Sequence, residues 1–328
     1  MSPADPADSP VPGEMPGAGI SVGGPRPAPL LARAKINYAL HVTGRRADGY
    51  HLLQSLVAFA EFGDQLSAER AAGTDHALTL TGPFAGALAA DTGGDNPAGD
   101  NLVLRALAAL ARDFETTPPP LALTLDKRLP VASGLGGGSA DAAAALRLGF
   151  AAMTGREPSE SEMARLAEIA ETLGADVPMC LTSKPALVSG TGTEVAPLPR
   201  FPGHAVLLAN PGLPVATPHV FALLKRRDNP PLSPIADSDL ASFDALIAWL
   251  EGTRNDLEAP ALALAPPIAD VLAALRVAPG ARLARMSGSG ATCFALFAGI
   301  EEAEREARRL AAQHPGWWIQ AAPVAAVA

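Results

Sequence analysis

The chain has 328 residues, which is enough for two domains of ordinary size or one large domain. Hydrophobic residues make up 48% and charged residues 18%, a composition typical of a globular protein and not of a disordered or fibrous one. The formal net charge of −9 argues against a general nucleic-acid binder, which usually carries a basic face. A local basic pocket for a phosphorylated ligand remains compatible with it.

Two features of the sequence bear on compartment. Residues 1–29 hold eight prolines and five glycines, and such a segment buries too little apolar surface to offset its ordering entropy, so we expect a disordered extension. It lacks the pattern of a signal peptide, and no transmembrane stretch follows it. Cys180 and Cys293 lie far apart in apolar runs and are expected to be buried, without a disulfide or metal cluster. We therefore predict a cytoplasmic protein that does not bind membranes.

The first part of the folded chain is predicted to be rich in strands. A mixture of apolar and polar residues predicts a strand over 31–42, and Asp48-Gly49 is the pivot of a turn over 45–51. Apolar residues resume over 52–64. The alternation over 65–82 then predicts a hairpin of short strands.

The middle of the chain is predicted to be mainly helical. Helical spacing of apolar residues predicts a helix over 101–114, and period-two alternation predicts a strand over 121–125. The alanine-rich stretch that comes next is a strong helix former, and Ser139 is well placed as its N-cap. A Ser-x-x-Glu pattern starts a further helix over 159–174, which ends at its glycine.

From about residue 183 the pattern changes to strands and loops, so we place a domain boundary between residues 185 and 186. The elements predicted beyond it are helices over 238–251 and 267–276, a strand–loop–strand unit over 282–297 and an amphipathic surface helix over 301–313.

A glycine-rich loop precedes the alanine-rich helix. Four glycines in five positions, Gly134, Gly136, Gly137 and Gly138, leave backbone N–H groups unshielded, and the helix that follows adds the positive end of its dipole. Together they form an anion site suited to a di- or triphosphate. The alternative is a flexible connection that binds nothing, but glycine costs about 0.5–1 kcal/mol per site and a plain turn needs only one.

Two common phosphate loops do not fit this segment. The Walker A pattern requires a lysine directly after its last glycine, and none follows Gly138. The dinucleotide fingerprint GxGxxG fits at Gly134 and Gly136, but Ser139 stands in its third glycine position. The stretch about 20 residues further on is helical and does not end a strand with an acidic residue.

Lys35 and Asp176 are the candidates for the chemistry. Phosphoryl transfer to an alcohol needs charge neutralisation and a group that orients the hydroxyl or accepts its proton, and a lysine beside a carboxylate supplies both. The alternative for Lys35 is an edge-strand lysine that blocks aggregation. The alternative for Asp176 is a capping or turn residue just after a helix end. The sequence alone does not bring the two together.

The segment Pro130-x3-Gly134-Leu135-Gly136-Gly137-Gly138-Ser139 resembles the phosphate loop of GHMP kinases. Five further segments narrow the resemblance to the 4-diphosphocytidyl-2-C-methyl-D-erythritol kinases of the non-mevalonate isoprenoid pathway, and the RADGYH element is the most discriminating. The segments of this resemblance are AKINYALHVTGRRADGYHLLQSL (34–56), LPVASGLGGGSADAAAAL (129–146), LGADVPMCL (173–181), NPGLPVATPHVF (210–221), Asn255-Asp256-Leu257-Glu258 and MSGSGATCFALF (286–297).

The resemblance implies an α/β (α+β two-layer) GHMP kinase fold with the active site in the cleft between two domains. Residues 30–185 would form the ATP-binding domain and residues 186–328 the substrate domain, with the last residues able to return to the first. It implies phosphorylation of the 2-hydroxyl of the erythritol moiety, with ATP as donor and Mg²⁺ required. The partners would be these small molecules, without nucleic acid or membrane, and the protein would be a monomer or a weak homodimer.

The resemblance also implies roles for residues around the phosphates. Lys35 and Asp176 match the catalytic lysine and aspartate, and whether the aspartate is a base or an orienting group stays open. Gly288, Ser289 and Gly290 match a third motif that lies against the phosphate loop, with a tight hairpin as the alternative. The residues implied in ATP binding are Pro130, Val131, Ala132, Ser133, Gly134, Leu135, Gly136, Gly137, Gly138, Ser139 and Ala140.

Five residues match contacts to the cytidine diphosphate: Asn37, Tyr50, His51, Thr217 and Phe221. Tyr50 would stack on the cytosine ring, His51 would hydrogen-bond its polar edge, and Phe221 would form the opposite wall, with Thr217 as a nearby polar contact. Stacking of this kind is worth about 1–3 kcal/mol per base. The alternatives are an exposed turn for Tyr50-His51 and a core aromatic at a helix start for Phe221.

The departures from the family pattern are small. Ser133 stands where glycine or alanine is frequent, Ala140 where a second serine is common, and Asn210 where histidine is frequent. No Mg²⁺ ligand is assigned, although Ser139 is a candidate because magnesium binds mainly through phosphates and water.

Two other interpretations keep the same loop. A homoserine or mevalonate kinase would bind ATP but would have no cytidine pocket at Tyr50-His51. A catalytically silent binding protein on the same fold would not need Lys35 and Asp176, and their presence counts against it.

Overall fold

The computed structural model describes residues 29–91 and 101–328. Nearly all of the predicted disordered extension, residues 1–29, lies outside this range. Within the described residues, the strands form one six-stranded and one four-stranded sheet, with helices packed against both. This confirms the predicted combination of helices and sheets. No helix of the described part has the length and apolar character needed to cross a membrane.

The six-stranded sheet is organised around a long antiparallel hairpin. Its strands β1 (Leu30–Arg45) and β2 (His51–Arg70) flank the predicted turn. Residues 34–42 are all buried, so a polar residue there is shielded from bulk solvent. Register shifts beside Lys35 and Asn37 interrupt the regular alternation of side chains at both positions. The other strands of this sheet are β3 (Ala77–Thr81), β4 (Leu121–Asp126), β5 (Ala186–Ser189) and β6 (Glu194–Pro197).

The hairpin predicted over residues 65–82 is wrong. β2 continues to Arg70, and β3 pairs in parallel with β4, which itself pairs with residues 65–70 of β2. β4 therefore lies between the two segments that were expected to pair. Alternation specifies that a segment is a strand with one buried face, but it does not specify its neighbour.

The helices that pack on this sheet surround α3, most of whose residues are buried. Small side chains let its neighbours approach closely: a Cβ added at Gly149 would lie 2.6 Å from Leu107 of α2. The capping box at Ser159 and Glu162 starts α4 as predicted. The helices of this layer are α1 (Ala85–Asp91), α2 (Leu102–Asp113), α3 (Gly137–Thr154), α4 (Glu160–Leu173) and α5 (Val177–Thr182).

The expected N-cap at Ser139 is wrong. α3 begins two residues earlier, at Gly137, and Gly136 occupies the N-cap position with a φ of 65°. A left-handed conformation is readily adopted by glycine but not by serine, so the cap is set by the backbone of the loop and not by a side-chain hydrogen bond.

The smaller sheet has the order β10-β7-β9-β8 and is antiparallel throughout. Its strands are β7 (His204–Asn210), β8 (Leu283–Met286), β9 (Cys293–Phe297) and β10 (Trp318–Val324), so the strand–loop–strand unit over 282–297 is confirmed. The helices of this part are α6 (Thr217–Ala222), α7 (Phe243–Glu251), α8 (Glu258–Leu264), α9 (Pro267–Arg276) and α10 (Ile300–Gln313), with a 3-10 helix at Asp237–Leu240.

One buried cluster joins the two sheets. Apolar side chains of β1 and β2 pack there against those of β7 and β9, and Tyr38 stacks on Phe294 with ring centroids 5.4 Å apart. Strand β1 is therefore held by hydrogen bonds to β2 and by apolar packing against the smaller sheet. Strands β5 and β6 pair within the larger sheet although they follow residue 185. The boundary predicted between residues 185 and 186 stays a prediction. We propose instead that the boundary lies after Pro197, because β5 and β6 belong to the larger sheet.

Candidate active site

The glycine-rich loop is held from outside by its own carbonyl groups. The carbonyl oxygens of residues 132–135 each accept a hydrogen bond from a group outside the loop, whereas no amide of residues 131–139 donates one to any group that the structure describes. Those amides are therefore available to an anion, as the sequence predicts. The donors to the four carbonyls are Val215 N, Thr292 N, the Ser287 hydroxyl and Lys35 N.

Two loop positions require glycine. Gly134 has a φ of 80°, and a Cβ there would lie 2.4 Å from the carbonyl oxygen of Ser287. Gly136 has a φ of 65°, and a Cβ there would lie 3.3 Å from the side chain of Lys35. The loop thus approaches both the strand of Lys35 and the Ser287–Gly290 segment more closely than a larger residue would allow.

A cavity of about 630 Å³ opens in front of this loop. It is large enough for a small-molecule ligand. Its lining combines strand residues of the larger sheet with residues of loops and helices: the phosphate loop, Lys35 and Asn37 of β1, Asp176, Thr217 and Phe221 of α6, and Gly288-Ser289. The structure therefore brings most of the predicted site residues to one place.

Lys35 and Asp176 meet inside this cavity. The ammonium nitrogen of Lys35 lies 2.7 Å from Oδ2 of Asp176, although 141 residues separate them in sequence. Lys35 is 6% exposed and pairs with a carboxylate, which disfavours the alternative of an edge-strand lysine that blocks aggregation. Asp176 stands at the start of α5 but its side chain caps no helix, and its carboxylate is 36% exposed to the cavity side. The geometry suits a carboxylate that contacts an incoming hydroxyl.

A second cluster of charges, which the sequence did not reveal, lies under the loop. The Lys127 ammonium nitrogen is 2.5 Å from Oδ2 of Asp64 and 2.7 Å from Oδ2 of Asp141, and all three side chains are buried. Asp64 also accepts hydrogen bonds from the amides of Arg128 and Leu129. The cluster ties β2 and the end of β4 to the first turns of α3.

Burial and coupling set the charges in this cluster. Burial, together with the negative charge of Asp64, outweighs the attraction of Lys127 and raises the pKa of Asp141 from 3.8 to about 7. Burial opposes the charge of Lys127, but Asp141 and Asp64 together raise the pKa of that amine. In the sequence, Lys127 appears only as a lysine after a strand and Asp141 only as an aspartate in an alanine-rich helix. Neither position indicates which residue it pairs with.

The Gly288–Gly290 segment is positioned by several hydrogen bonds. Ser287 Oγ donates to the carbonyl of Gly134 and accepts from the amide of Asn37. The Asn255 amide nitrogen lies 2.8 Å from the carbonyl oxygens of both Met286 and Gly288. The segment thus lies directly against the phosphate loop. Asn255, which belongs to a segment without a predicted role, fixes its shape.

The predicted polar contact Thr217 lies beside this segment. Its hydroxyl is 2.7 Å from that of Ser289. Asn210, the departure from the family pattern, holds the turn that precedes Thr217: it donates to Thr292 Oγ1 and accepts from the Gly212 amide. The asparagine at position 210 therefore has a structural explanation in this chain.

The structure brings only some of the residues that were predicted to contact cytidine close to one another. His51 and Phe221 stack with ring centroids 4.7 Å apart, whereas Tyr50 is 64% exposed and makes no ring contact with the residues that the structure describes. Nε2 of His51 and Oδ1 of Asn37 are both buried without a hydrogen-bond partner among the residues that the structure describes. Burial of unpaired polar atoms is unfavourable, so both atoms are candidates for ligand contacts.

Known proteins resemble this chain over most of its length. Residues 101–184 match the GHMP kinases N terminal domain, and residues 218–316 match the GHMP kinases C terminal domain. A 4-diphosphocytidyl-2-C-methyl-D-erythritol kinase of Paracoccus denitrificans (strain Pd 1222) is 51% identical over 294 residues, which cover 90% of this chain and 96% of the relative. The chain belongs to the 4-diphosphocytidyl-2-C-methyl-D-erythritol kinase family.

Solved structures agree with this assignment. A crystal structure of 4-(cytidine 5'-diphospho)-2C-methyl-D-erythritol kinase superimposes with a TM-score of 0.69 at 32% identity, covering 90% of this chain and 99% of the other. A homoserine kinase from Cytophaga hutchinsonii gives a TM-score of 0.60 at 18% identity, covering 90% and 95%, and therefore shares the fold alone. The expected GHMP kinase fold is thus confirmed.

Membership of the 4-diphosphocytidyl-2-C-methyl-D-erythritol kinase family makes the chain a phosphotransferase with an alcohol group as acceptor. GHMP kinases use ATP, so ATP is the phosphoryl donor of this kinase. The family assignment also disfavours the alternatives of a homoserine or mevalonate kinase and of a catalytically silent protein.

Proposed function

We propose that this kinase transfers the γ-phosphoryl group of ATP to the 2-hydroxyl of 4-diphosphocytidyl-2-C-methyl-D-erythritol in the non-mevalonate isoprenoid pathway. The observation that carries the proposal is the contact of 2.7 Å between Lys35 and Asp176, in a cavity that also includes the phosphate loop and Phe221. The loop supplies the donor site, the ion pair supplies the acceptor site, and His51 with Phe221 supplies an aromatic surface for a base.

The ion pair accounts for the transfer step. The acceptor oxygen forms a bond to the γ-phosphorus as the bond from that phosphorus to the β–γ bridging oxygen breaks, and ADP leaves with the electron pair. The Asp176 carboxylate orients the hydroxyl and takes its proton. Lys35 offsets the negative charge that gathers between the carboxylate and the transferring group. Because Lys35 is buried and hydrogen-bonded, it is in position before the substrate arrives.

Mg²⁺ is compatible with the residues of this site. No group of three or more His, Cys, Asp and Glu side chains in the described chain is arranged to hold a metal ion. Kinases bind Mg²⁺ through phosphates, water and one or two protein groups, so such a cage is not needed. Ser139 lines the cavity, and its hydroxyl has no hydrogen-bond partner within the described residues, so we propose it as a ligand. When bound, Mg²⁺ would neutralise charge on the β- and γ-phosphates.

We also propose that the kinase works in the cytoplasm as a monomer or a weak homodimer. Cys180 and Cys293 are free and buried, which suits a reducing compartment. The phosphate loop lies in the part of the chain that forms the larger sheet, and Thr217 and Phe221 lie in the remaining part. This distribution supports ATP binding mainly by the first and substrate binding partly by the second.

The test is ATP-dependent turnover of 4-diphosphocytidyl-2-C-methyl-D-erythritol, measured as ADP release beside homoserine and mevalonate at equal concentrations. We expect turnover of the cytidylylated substrate alone, with the phosphate placed on its 2-hydroxyl by ³¹P NMR of the product. Turnover of mevalonate or homoserine with no turnover of the cytidylylated compound would disprove the proposal.

A further inference from the structure

Four arginines lie close in sequence to His51 or to Phe221, and they divide into two kinds. Arg46 pairs with Asp48 at 2.7 Å, and Arg226 pairs with Asp228 at 3.3 Å. The other two, Arg45 and Arg227, make no ion pair with any carboxylate in the described chain. Arg45 donates only to the carbonyl of Gly49, and Nε of Arg227 is buried without a partner among the described atoms.

The two arginines without ion pairs belong to two segments that contact each other at His51. Arg45 is the cross-strand partner of His51 in the β1–β2 hairpin, so their side chains lie on the same face of the sheet. Arg227 follows α6, whose Phe221 stacks on His51. Burial is the main cause that lowers the pKa of His51, and the positive charges of Arg45 and Arg227 lower it further.

We propose that Arg45 and Arg227 form the subsite for the diphosphate group of the nucleotide-linked substrate. The inference rests on the proposed function and deepens it. A substrate whose base contacts His51 and Phe221, and whose hydroxyl contacts Asp176, has its diphosphate between these points. Guanidinium groups bind phosphate oxygens in a fixed fork, and a diphosphate offers several such oxygens.

The charge of the rest of the protein strengthens this assignment. The chain carries a formal net charge of −9, so a polyanionic substrate meets repulsion over most of the surface. Two guanidinium groups that form no ion pair within the described chain supply positive charge where the substrate needs it. Within the same two segments, Arg46 and Arg226 are neutralised by Asp48 and Asp228, so they do not contribute in the same way.

The four arginines allow a matched experiment. Arg45→Gln, Arg227→Gln and the double variant are compared with the controls Arg46→Gln and Arg226→Gln, in steady-state kinetics with the cytidylylated substrate. We expect KM for that substrate to rise about tenfold in each test variant and further in the double variant, with kcat and KM for ATP within twofold of the parent. The controls should stay within twofold in every constant.

Binding of CDP and of cytidine, measured by calorimetry on the same proteins, separates charge from packing. CDP should lose about tenfold in affinity in the test variants, whereas cytidine, which lacks phosphate, should not. Equal losses for both ligands, or test variants that match the controls, would overturn the subsite. If the parent bound CDP in an arginine-dependent manner but did not phosphorylate the cytidylylated substrate, the subsite would stand and the proposed function would fail.

Discussion

The two ends of the cavity are built in different ways. At the phosphate end, Lys127 lies between two buried carboxylates, and the loop carbonyls accept hydrogen bonds from outside the loop. We call the region of Tyr50, His51 and Phe221, where we propose that the base binds, the nucleoside end. There Tyr50 is 64% exposed, and Arg45 and Arg227 form no ion pair with any carboxylate of the described chain. The phosphate end is therefore organised before any ligand binds, whereas the nucleoside end has groups whose partners we propose to come with the ligand.

Because of this difference, the two regions contribute differently to stability and to ligand recognition. A buried ion pair that loses one partner leaves an uncompensated charge and costs about 3–5 kcal/mol of stability. An exposed side chain with no such partner can be replaced for about 0.5 kcal/mol or less. Substitutions at the phosphate end should therefore affect both folding and ATP binding, and substitutions at the nucleoside end should affect the recognition of the substrate alone.

The largest effect is expected at Asp176, which lies between the two ends. Asp176→Asn removes the negative charge that accepts the proton, so kcat should fall about 10²- to 10⁴-fold. KM for both substrates should change little. Because the substitution leaves the buried Lys35 without its ion-pair partner, the free energy of unfolding should fall as well. Steady-state kinetics and urea unfolding measure these quantities.

Asp244→Asn is the matched control for this prediction. Its carboxylate is 76% exposed and pairs with Arg282, outside the cavity lining. Kinetic constants and stability of this variant should equal those of the parent. An Asp176→Asn enzyme with the parent's kcat would remove Asp176 from the transfer step.

The next effect concerns the pH dependence of stability at the phosphate end. The pKa of Asp141 is raised from 3.8 to about 7 because the carboxyl is buried beside Asp64. A raised pKa in the folded state means that the contribution of the group is fully present below pH 3.8 and is lost as pH rises towards about 7. Asp141→Asn has no such ionisation, so the stability of the variant relative to the parent should rise with pH between these values and stay constant at higher pH.

Urea unfolding of both proteins between pH 5 and 8.5 tests this prediction. Asp244→Asn should follow the parent's pH dependence at every point, because its carboxylate is exposed. A parent and an Asp141→Asn variant with parallel stability curves would show that Asp141 is ionised at the same pH in the folded and unfolded chains.

The sequence predicted the parts of this molecule that depend on local patterns. The strand of Lys35 and the helix that begins at Ser159 follow from apolar spacing and a capping box. The phosphate loop follows from its glycines, because few other structures need so many positions without side chains. The predicted N-cap at Ser139 failed, since glycine backbone geometry and not a side-chain bond starts that helix.

The parts that failed or were missed depend on pairing between distant segments. β3 was assigned to the wrong neighbour because alternation does not identify a partner strand. Asp64, Lys127 and Asp141 each look like an ordinary charged residue in sequence, and only the packing of β2, β4 and α3 brings them together. The contact of Lys35 with Asp176 spans 141 residues, and the sequence suggested it only through the family resemblance.

The smallest effect, and the sharpest test of the nucleoside end, is expected at Tyr50. His51 and Phe221 have ring centroids 4.7 Å apart, which leaves no room for a third ring between them, so a base that stacks on Phe221 displaces His51 or occupies the other face. Tyr50→Ala should raise KM for the cytidylylated substrate about fivefold, the lower end of what base stacking contributes, with kcat and stability unchanged. Tyr50→Phe keeps the ring and should remain within twofold of the parent. If Tyr50→Phe instead matched Tyr50→Ala, the contribution would come from the hydroxyl, and recognition at this end would depend on hydrogen bonds rather than on stacking.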